Sequence, residues 1–213
     1  VPAVHLSTTF ARDERYEKRA GFGYQRGGSP TLDCPQRLLA SLEGGVGALL
    51  FPSGMAACTA LFQSLAPGDH VVVQRPLYFG LPVWLDRFAR PGGIEVDYVP
   101  SGDVGAIAAA LRPGRTRVVW IETPCNPTWS VTDIAAAANA SHEAGARLMV
   151  DSTAATPVLT QPLSLGADMV FHSATKFLNG HSDVLAGAVV TAREDELWER
   201  LVAVRELAGA ILG

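Results

Sequence analysis

The sequence predicts an α/β fold: a mostly parallel sheet with helices on both faces. Three observations carry this reading. From about residue 45 onward, short β-branched runs alternate with longer Ala/Leu-rich stretches, the order produced when parallel strands are joined by helical crossovers. Several of the short runs are apolar throughout, as strands covered on both faces must be. The 213 residues, 48% hydrophobic and 18% charged, suffice to bury one substantial core without disulfides or a structural metal.

The elements follow in order. The first thirty residues are rich in charge and glycine, with Arg12-Asp13-Glu14-Arg15 and then Gly21-Phe22-Gly23, and show no strong periodicity; they read as an extended arm. A helical stretch over 32–42 completes an N-terminal unit of residues 1–44. Residues 45–213 then form one α/β domain. Strands are expected at 48–51, 70–74, 118–122, 147–151, 169–172 and 186–191. Helices are expected at 55–65, 81–90, 104–111 and 133–144, each with helical apolar spacing and ending near Gly or Pro, with Thr132 or Asp133 as the cap of the last. No repeat, low-complexity tract or long linker interrupts the series.

Charge and composition exclude several classes of function. Seventeen basic against 21 acidic residues leave a net charge of −4, the wrong sign for general binding to a phosphate backbone, so no nucleic-acid partner is expected. No apolar run approaches the ~18 residues needed to cross a bilayer, and no membrane partner is expected. Cys34, Cys58 and Cys125 are scattered, odd in number and form no Cys-x-x-Cys pair, which argues against a disulfide scaffold or a zinc knuckle. A reducing cytoplasm is the expected setting, and no metal site is expected. The opening at Val1 and the apolar close at Gly213 lead us to expect a fragment of a longer chain.

Only two of the 17 basic residues are lysines. Lys18 sits among charges. Lys176 instead closes Ser173-Ala174-Thr175-Lys176 behind an apolar strand, at the strand's carboxyl end, where open α/β sheets bind ligands. An amine there can become a nucleophile toward a carbonyl, and the neighbouring hydroxyls can hold phosphate oxygens; a surface lysine after a strand is the plainer alternative. Asp151 closes the preceding strand on the same sheet edge. A carboxylate in that place can keep a pyridine nitrogen protonated while a lysine joins the same cofactor, the pair found in pyridoxal phosphate (PLP) enzymes, although Asp after a strand is also a common helix cap. Ser53-Gly54-Met55 runs from a strand through a glycine turn into a helix, an arrangement whose N–H groups and dipole face an anion. An isolated Ser-Gly turn is more often plain punctuation. The glycine fingerprints of dinucleotide and nucleoside triphosphate sites are missing, which weakens a nucleotide-dependent oxidoreductase reading.

From about Tyr24 to Gly187 the chain resembles the Cys/Met metabolism (transsulfuration) family of PLP enzymes. The matching segments include Tyr24-Gln25-Arg26, Leu42-Glu43-Gly44-Gly45, Ser53-Gly54-Met55-Ala56-Ala57, Leu77-Tyr78 and the run from Ile121 to Thr128. They continue with Asp151-Ser152-Thr153 and His172-Ser173-Ala174-Thr175-Lys176, and end at Asn179-Gly180-His181-Ser182-Asp183. Their common order makes the resemblance specific.

The resemblance implies the large domain of fold type I, the aminotransferase-like PLP fold, without the smaller C-terminal domain that holds the substrate carboxylate. Lys176 would attach the cofactor and then shuttle protons. Asp151 would hold the ring nitrogen protonated, Tyr78 would stack on one face of the ring with Thr153 against the other, and Asn126 would bond the phenolic oxygen. The main-chain N–H groups of Gly54 and Met55, with Ser53, Ser173 and Thr175, would hold the phosphate. Tyr24 and Arg26 would cross to a neighbouring subunit's phosphate, Arg suiting bidentate contact, so the resemblance implies a homodimer or a homotetramer of such dimers.

The implied activity is cystathionine γ-synthase-like γ-replacement on an O-acylated homoserine with cysteine. The same residues serve a cystathionine γ-lyase, a β-lyase or a methionine γ-lyase, and a non-catalytic degenerate homologue is the alternative from another class. Ser152, Ser29-Pro30-Thr31 and Tyr78-Phe79-Gly80 depart from the family pattern and leave the subfamily open. None touches the lysine or its aspartate.

Overall fold

The computed structural model describes residues 2–213, so residue 1 of the expected arm lies outside the described residues. In chain order the elements are α1 (Pro30–Glu43), β1 (Gly47–Phe51), α2 (Gly54–Gln63), β2 (His70–Arg75), α3 (Gly80–Trp84), β3 (Glu95–Pro100), α4 (Val104–Ala110) and β4 (Thr116–Glu122). They continue with α5 (Ile134–Glu143), β5 (Arg147–Asp151), α6 (Thr156–Leu159), β6 (Met169–His172), β7 (Gly187–Thr191) and α7 (Glu196–Leu207). All six expected strands are present, each within two residues of its expected ends.

The seven strands form one sheet in the order β1-β7-β6-β5-β4-β2-β3. From β3 to β6 all neighbours are parallel, while β7 runs antiparallel to both β6 and β1. The connection from β6 to β7 carries Lys176 and has no crossover helix among the described residues, so the chain returns beside β6 in the opposite direction. The carboxyl ends of β2, β4, β5 and β6 therefore share one edge.

Alternation along the strands builds a core on each face. Val71, Val73, Val118, Trp120 and Met149 pack with Leu61, Phe62, Leu81 and Leu201 from α2, α3 and α7. Val72, Val119, Ile121, Leu148 and Val150 pack against Ile107, Ile134 and Ala137 from α4 and α5. Leu32, Leu39 and Ala40 of α1 cover Leu50 and Val190 at the β1–β7 end. No described helix is long and apolar enough to cross a membrane.

Several expectations are corrected. The arm is not simply extended: Thr9 bridges Tyr24 and Arg12 bridges Lys18, because the Asp13 carboxylate accepts the N–H groups of Arg15 and Glu17, both at 2.9 Å, and bends the chain back. The helix expected over 81–90 is α3 followed by a π-helical turn, Leu85–Ala89. Asp133, not Thr132, caps α5, accepting from Ala136 N at 3.0 Å.

Three elements are additions, the short α6 among them. Edge strand β3 alternates acids with apolar residues, and its Glu95 and Asp97 pair with Arg112 and Arg115. Helix α7 begins at Asp195, whose carboxylate accepts from Leu197 N and Trp198 N, and it hides its apolar stripe among charges.

Candidate active site

A cavity of about 840 Å³ opens at the shared carboxyl edge of the parallel strands. Ten of the twelve residues singled out from the sequence line it: Ser53, Gly54, Met55, Tyr78, Asn126, Asp151, Thr153, Ser173, Thr175 and Lys176. They arrive from the ends of five strands, so the sheet, rather than any one loop, brings them together. Tyr24 and Arg26 are not among the lining residues. Arg26 lies 5.5 Å over the ring of Tyr24 and donates to the carbonyl of Glu206 at 3.0 Å.

The N-terminus of α2 lines the cavity. The Ser53 hydroxyl accepts from Ala56 N at 3.0 Å, which leaves the first N–H groups of the helix, on Gly54 and Met55, without intrahelical acceptors. A Cβ on Gly54 would stand 3.0 Å from Ser173 Oγ, so glycine is what lets this turn lie against the Ser173 hydroxyl. Thr153 Oγ1 accepts from Ser173 N at 2.8 Å and ties the two segments. Thr175 differs: its hydroxyl donates to Ala186 O and accepts from Ala186 N, both at 3.0 Å. N–H donors, a helix dipole and the Ser173 hydroxyl make an anion cradle, with Thr175 holding the strand behind it.

Two buried acids also line the cavity. Asp151 closes β5 and Glu122 closes β4, paired in register, both with little exposure. Asp151 Oδ1 accepts from Thr153 N at 3.0 Å. Burial, followed by the charge of Glu122, pushes the Asp151 carboxyl up to about 7. Burial also raises Glu122, opposed by N–H groups from Tyr78 at 2.8 Å and Asn126 at 2.6 Å. The Cys58 thiol, also in the cavity, is pushed up by burial and by Asp151 and stays neutral.

Among the described residues neither acid has a cationic partner within 4.0 Å. Two buried carboxyl groups without a countercharge are costly unless one takes a proton or a cation joins them. A protonated pyridine nitrogen is such a cation, and the cradle suits a phosphate. The residues therefore fit PLP: Asp151 could take the ring nitrogen, Gly54, Met55 and Ser173 could take the phosphate, and the exposed Lys176 amine lies at the wall.

Glu122 received no role from the sequence, although it lies inside the quoted run from Ile121 to Thr128. Its signal was available: like Asp151, it is an acid closing an otherwise apolar strand. Trp120, two residues earlier on the same strand, also lines the cavity, and its indole N–H is buried without a partner among the described residues.

Comparisons with known proteins identify the family. The model of a family described as "Cys/Met metabolism PLP-dependent enzyme" matches residues 1–213. Cystathionine γ-synthase of Mycobacterium tuberculosis is 43% identical over 211 residues, covering 99% of this chain and 54% of that protein. Cystathionine β-lyase of Bacillus subtilis is 39% identical over 213 residues, covering 100% and 54%. The crystal structure of the metB protein from Corynebacterium glutamicum superposes with a TM-score of 0.93 at 41% identity, covering 98% of this chain and 54% of that one. The chain spans about half the length of the relatives it matches.

Proposed function

We propose that this chain, which belongs to the Cys/Met metabolism family of PLP-dependent enzymes, is the cofactor-binding part of a γ-replacing transsulfuration enzyme of the cystathionine γ-synthase kind. The observation that carries the reading is the convergence of Lys176, Asp151 and the α2 N-terminus on one cavity. The 43% identity to a cystathionine γ-synthase supports the synthase, and the 39% identity to a β-lyase keeps the lyase as the second reading. The substrates of the synthase reading are an O-acylated homoserine and cysteine, in the service of methionine biosynthesis.

When bound, PLP supplies an electron sink for charge that develops at the substrate Cα. The chain's own groups do the rest. Lys176 Nζ takes the Cα proton and then works at Cβ, a general base and acid on a short exposed segment. Asp151 holds the ring-nitrogen proton. Tyr78 and Thr153 would hold the ring, Asn126 would bond its phenolic oxygen, and Ser53, Gly54, Met55, Ser173 and Thr175 would form or brace the phosphate cradle.

Tyr24 and Arg26, lying outside their own chain's cavity, are proposed to complete the site of a second copy, in a homodimer or a homotetramer. Residues 1–44 would serve as the arm and first helix and 45–213 as the cofactor domain. Three unpaired cysteines support a cytoplasmic setting.

The test is a PLP titration followed in the visible, on wild type and on Lys176→Ala, followed by product analysis with O-succinylhomoserine and cysteine or with cystathionine alone. Absorbance that depends on Lys176 and formation of cystathionine support the synthase; pyruvate or 2-oxobutyrate from cystathionine supports a lyase. A wild type that retains no absorbance once unbound PLP is removed overturns the enzyme reading in favour of a non-catalytic homologue.

A further inference from the structure

Glu122 is the one acid in the cavity whose two oxygens both accept main-chain N–H groups from separate segments. Oε2 takes Tyr78 N at 2.8 Å, from the stretch between β2 and α3; Oε1 takes Asn126 N at 2.6 Å, from the stretch between β4 and α5. The surroundings pin the same seam. Gln74 Nε2 donates to Glu122 O at 2.6 Å, Gln74 Oε1 accepts from the Thr132 hydroxyl at 3.3 Å, and the Cys125 thiol donates to Pro76 O at 3.1 Å. Tyr78 and Asn126 are themselves exposed at the cavity. A carboxylate with one donor on each oxygen is a rigid, charge-assisted clamp, and removing one acceptor from such a pair leaves a donor unpaired.

We propose that Glu122 is a positioning residue for the cofactor ring: its carboxylate fixes the Tyr78 and Asn126 segments against each other, and its charge beside Asp151 strengthens the hold on the ring-nitrogen proton. The inference rests on the PLP reading above. Glu122 reaches neither substrate nor reacting atoms; it acts through Tyr78, Asn126 and Asp151. The titratable groups that face Asp151 are Glu122 from β4, Cys58 from α2, and Tyr78 and Lys176 at the cavity wall. Of these, Glu122 is the carboxylate, and its charge opposes ionisation of Asp151.

The test uses Glu122→Gln, which keeps the shape, loses the charge and can accept only one of the two N–H groups while turning an NH2 toward the other. PLP is titrated into cofactor-free wild type and variant, with affinity read by absorbance across a pH series. The expected result is a PLP dissociation constant raised on the order of tenfold to a hundredfold. The pH of half-maximal affinity should also fall, because Asp151 ionises more readily once its neighbour is neutral. Amide hydrogen exchange of the cofactor-free proteins should show lost protection at the peptides carrying Tyr78 and Asn126.

A purely structural acid would destabilise the fold without moving the pH of half-maximal affinity, and that result overturns the proposal. So does a variant that binds PLP as tightly as a wild type that binds it. A wild type that binds no PLP overturns the cofactor reading and this inference with it. If Glu122→Gln does not fold, wild type decides: Tyr78 and Asn126 amides that exchange without protection in the cofactor-free protein overturn the clamp, and protected amides that lose protection together as pH is lowered support it.

Discussion

Asp151 and Glu122 stand side by side at the carboxyl ends of β5 and β4, two buried acids in register. The pair suits the positively charged ring proposed for this site and predicts how the protein behaves without one. In the folded chain Asp151 is pushed up to about 7 from its ordinary 3.8, so between those values the folded state holds a proton that the unfolded state has released. Stability of the cofactor-free protein should therefore fall as pH rises from about 4 to about 7 and level off above that. At 1.36 kcal/mol per unit, the full effect is on the order of 4 kcal/mol. Asp151→Asn removes it. Urea denaturation should find the cofactor-free variant more stable than wild type at pH 8 and equal to it at pH 4, while PLP binding is lost. A variant no more stable at pH 8 would contradict the strained acid pair.

Lys176→Ala should separate chemistry from fold. The lysine is exposed and among the described residues makes no ion pair, so the substitution is expected to change stability by no more than about 0.5 kcal/mol. The change that wild type produces in the PLP absorption spectrum should vanish. Thermal melts and spectra recorded on one preparation check both halves, and a melting point lowered by many degrees would assign the lysine a structural part instead.

Much of this site was legible in the sequence because it is assembled from strand ends. Each apolar run announces its own carboxyl end, and the residues just past it must meet at one edge once the runs pair in parallel. That logic reached Asp151, Lys176 and the Ser53 turn. It stopped short of Glu122, whose contribution runs through main-chain N–H groups that carry no side-chain signature. It also stopped short of β3, whose acids mask an edge strand, and of α7. In α7 the buried stripe of Trp198, Leu201 and Arg205 includes an arginine where a hydrophobic pattern expects an apolar residue, and five of its twelve residues are charged. The Thr175 hydroxyl shows the converse. Its place beside Lys176 and the family resemblance suggested a phosphate ligand, and its observed partners are both main-chain atoms of Ala186.

Gly187 should prove intolerant of any side chain. It opens β7 directly behind the Ser53 turn, and a Cβ there would fall 2.2 Å from Ser53 O and 2.9 Å from Ala57 Cβ. Backbone cannot yield as a flexible side chain can, so Gly187→Ala must push β7 and the α2 N-terminus apart, costing on the order of 1–3 kcal/mol. Because the displaced atoms belong to the anion cradle, PLP affinity should fall together with stability. Denaturant midpoints and a PLP titration on Gly187→Ala measure the two effects, and a variant that keeps wild-type affinity would show that the cradle does not depend on this contact.

The loop carrying Lys176 is anchored from below by a pair that no chemistry uses. Glu43, the last residue of α1, places Oε1 against Nε2 of His172, the residue just before Ser173, and both side chains are buried. Among the described residues the second oxygen of Glu43 and the second nitrogen of His172 have no partners, so the contact is a single bond joining α1 to the end of β6. Glu43→Ala strands the imidazole in the interior and should destabilise the fold by about 3–5 kcal/mol, the cost of breaking a buried pair by removing one member. Glu43→Gln keeps an oxygen for His172 and should cost closer to about 1 kcal/mol. The two variants together separate hydrogen bonding from packing at this joint, with urea denaturation as the measure. If the bond also holds the start of the lysine loop in place, Glu43→Ala should weaken PLP binding while Glu43→Gln leaves it near wild type; equal PLP affinity in both would confine the pair to stability alone.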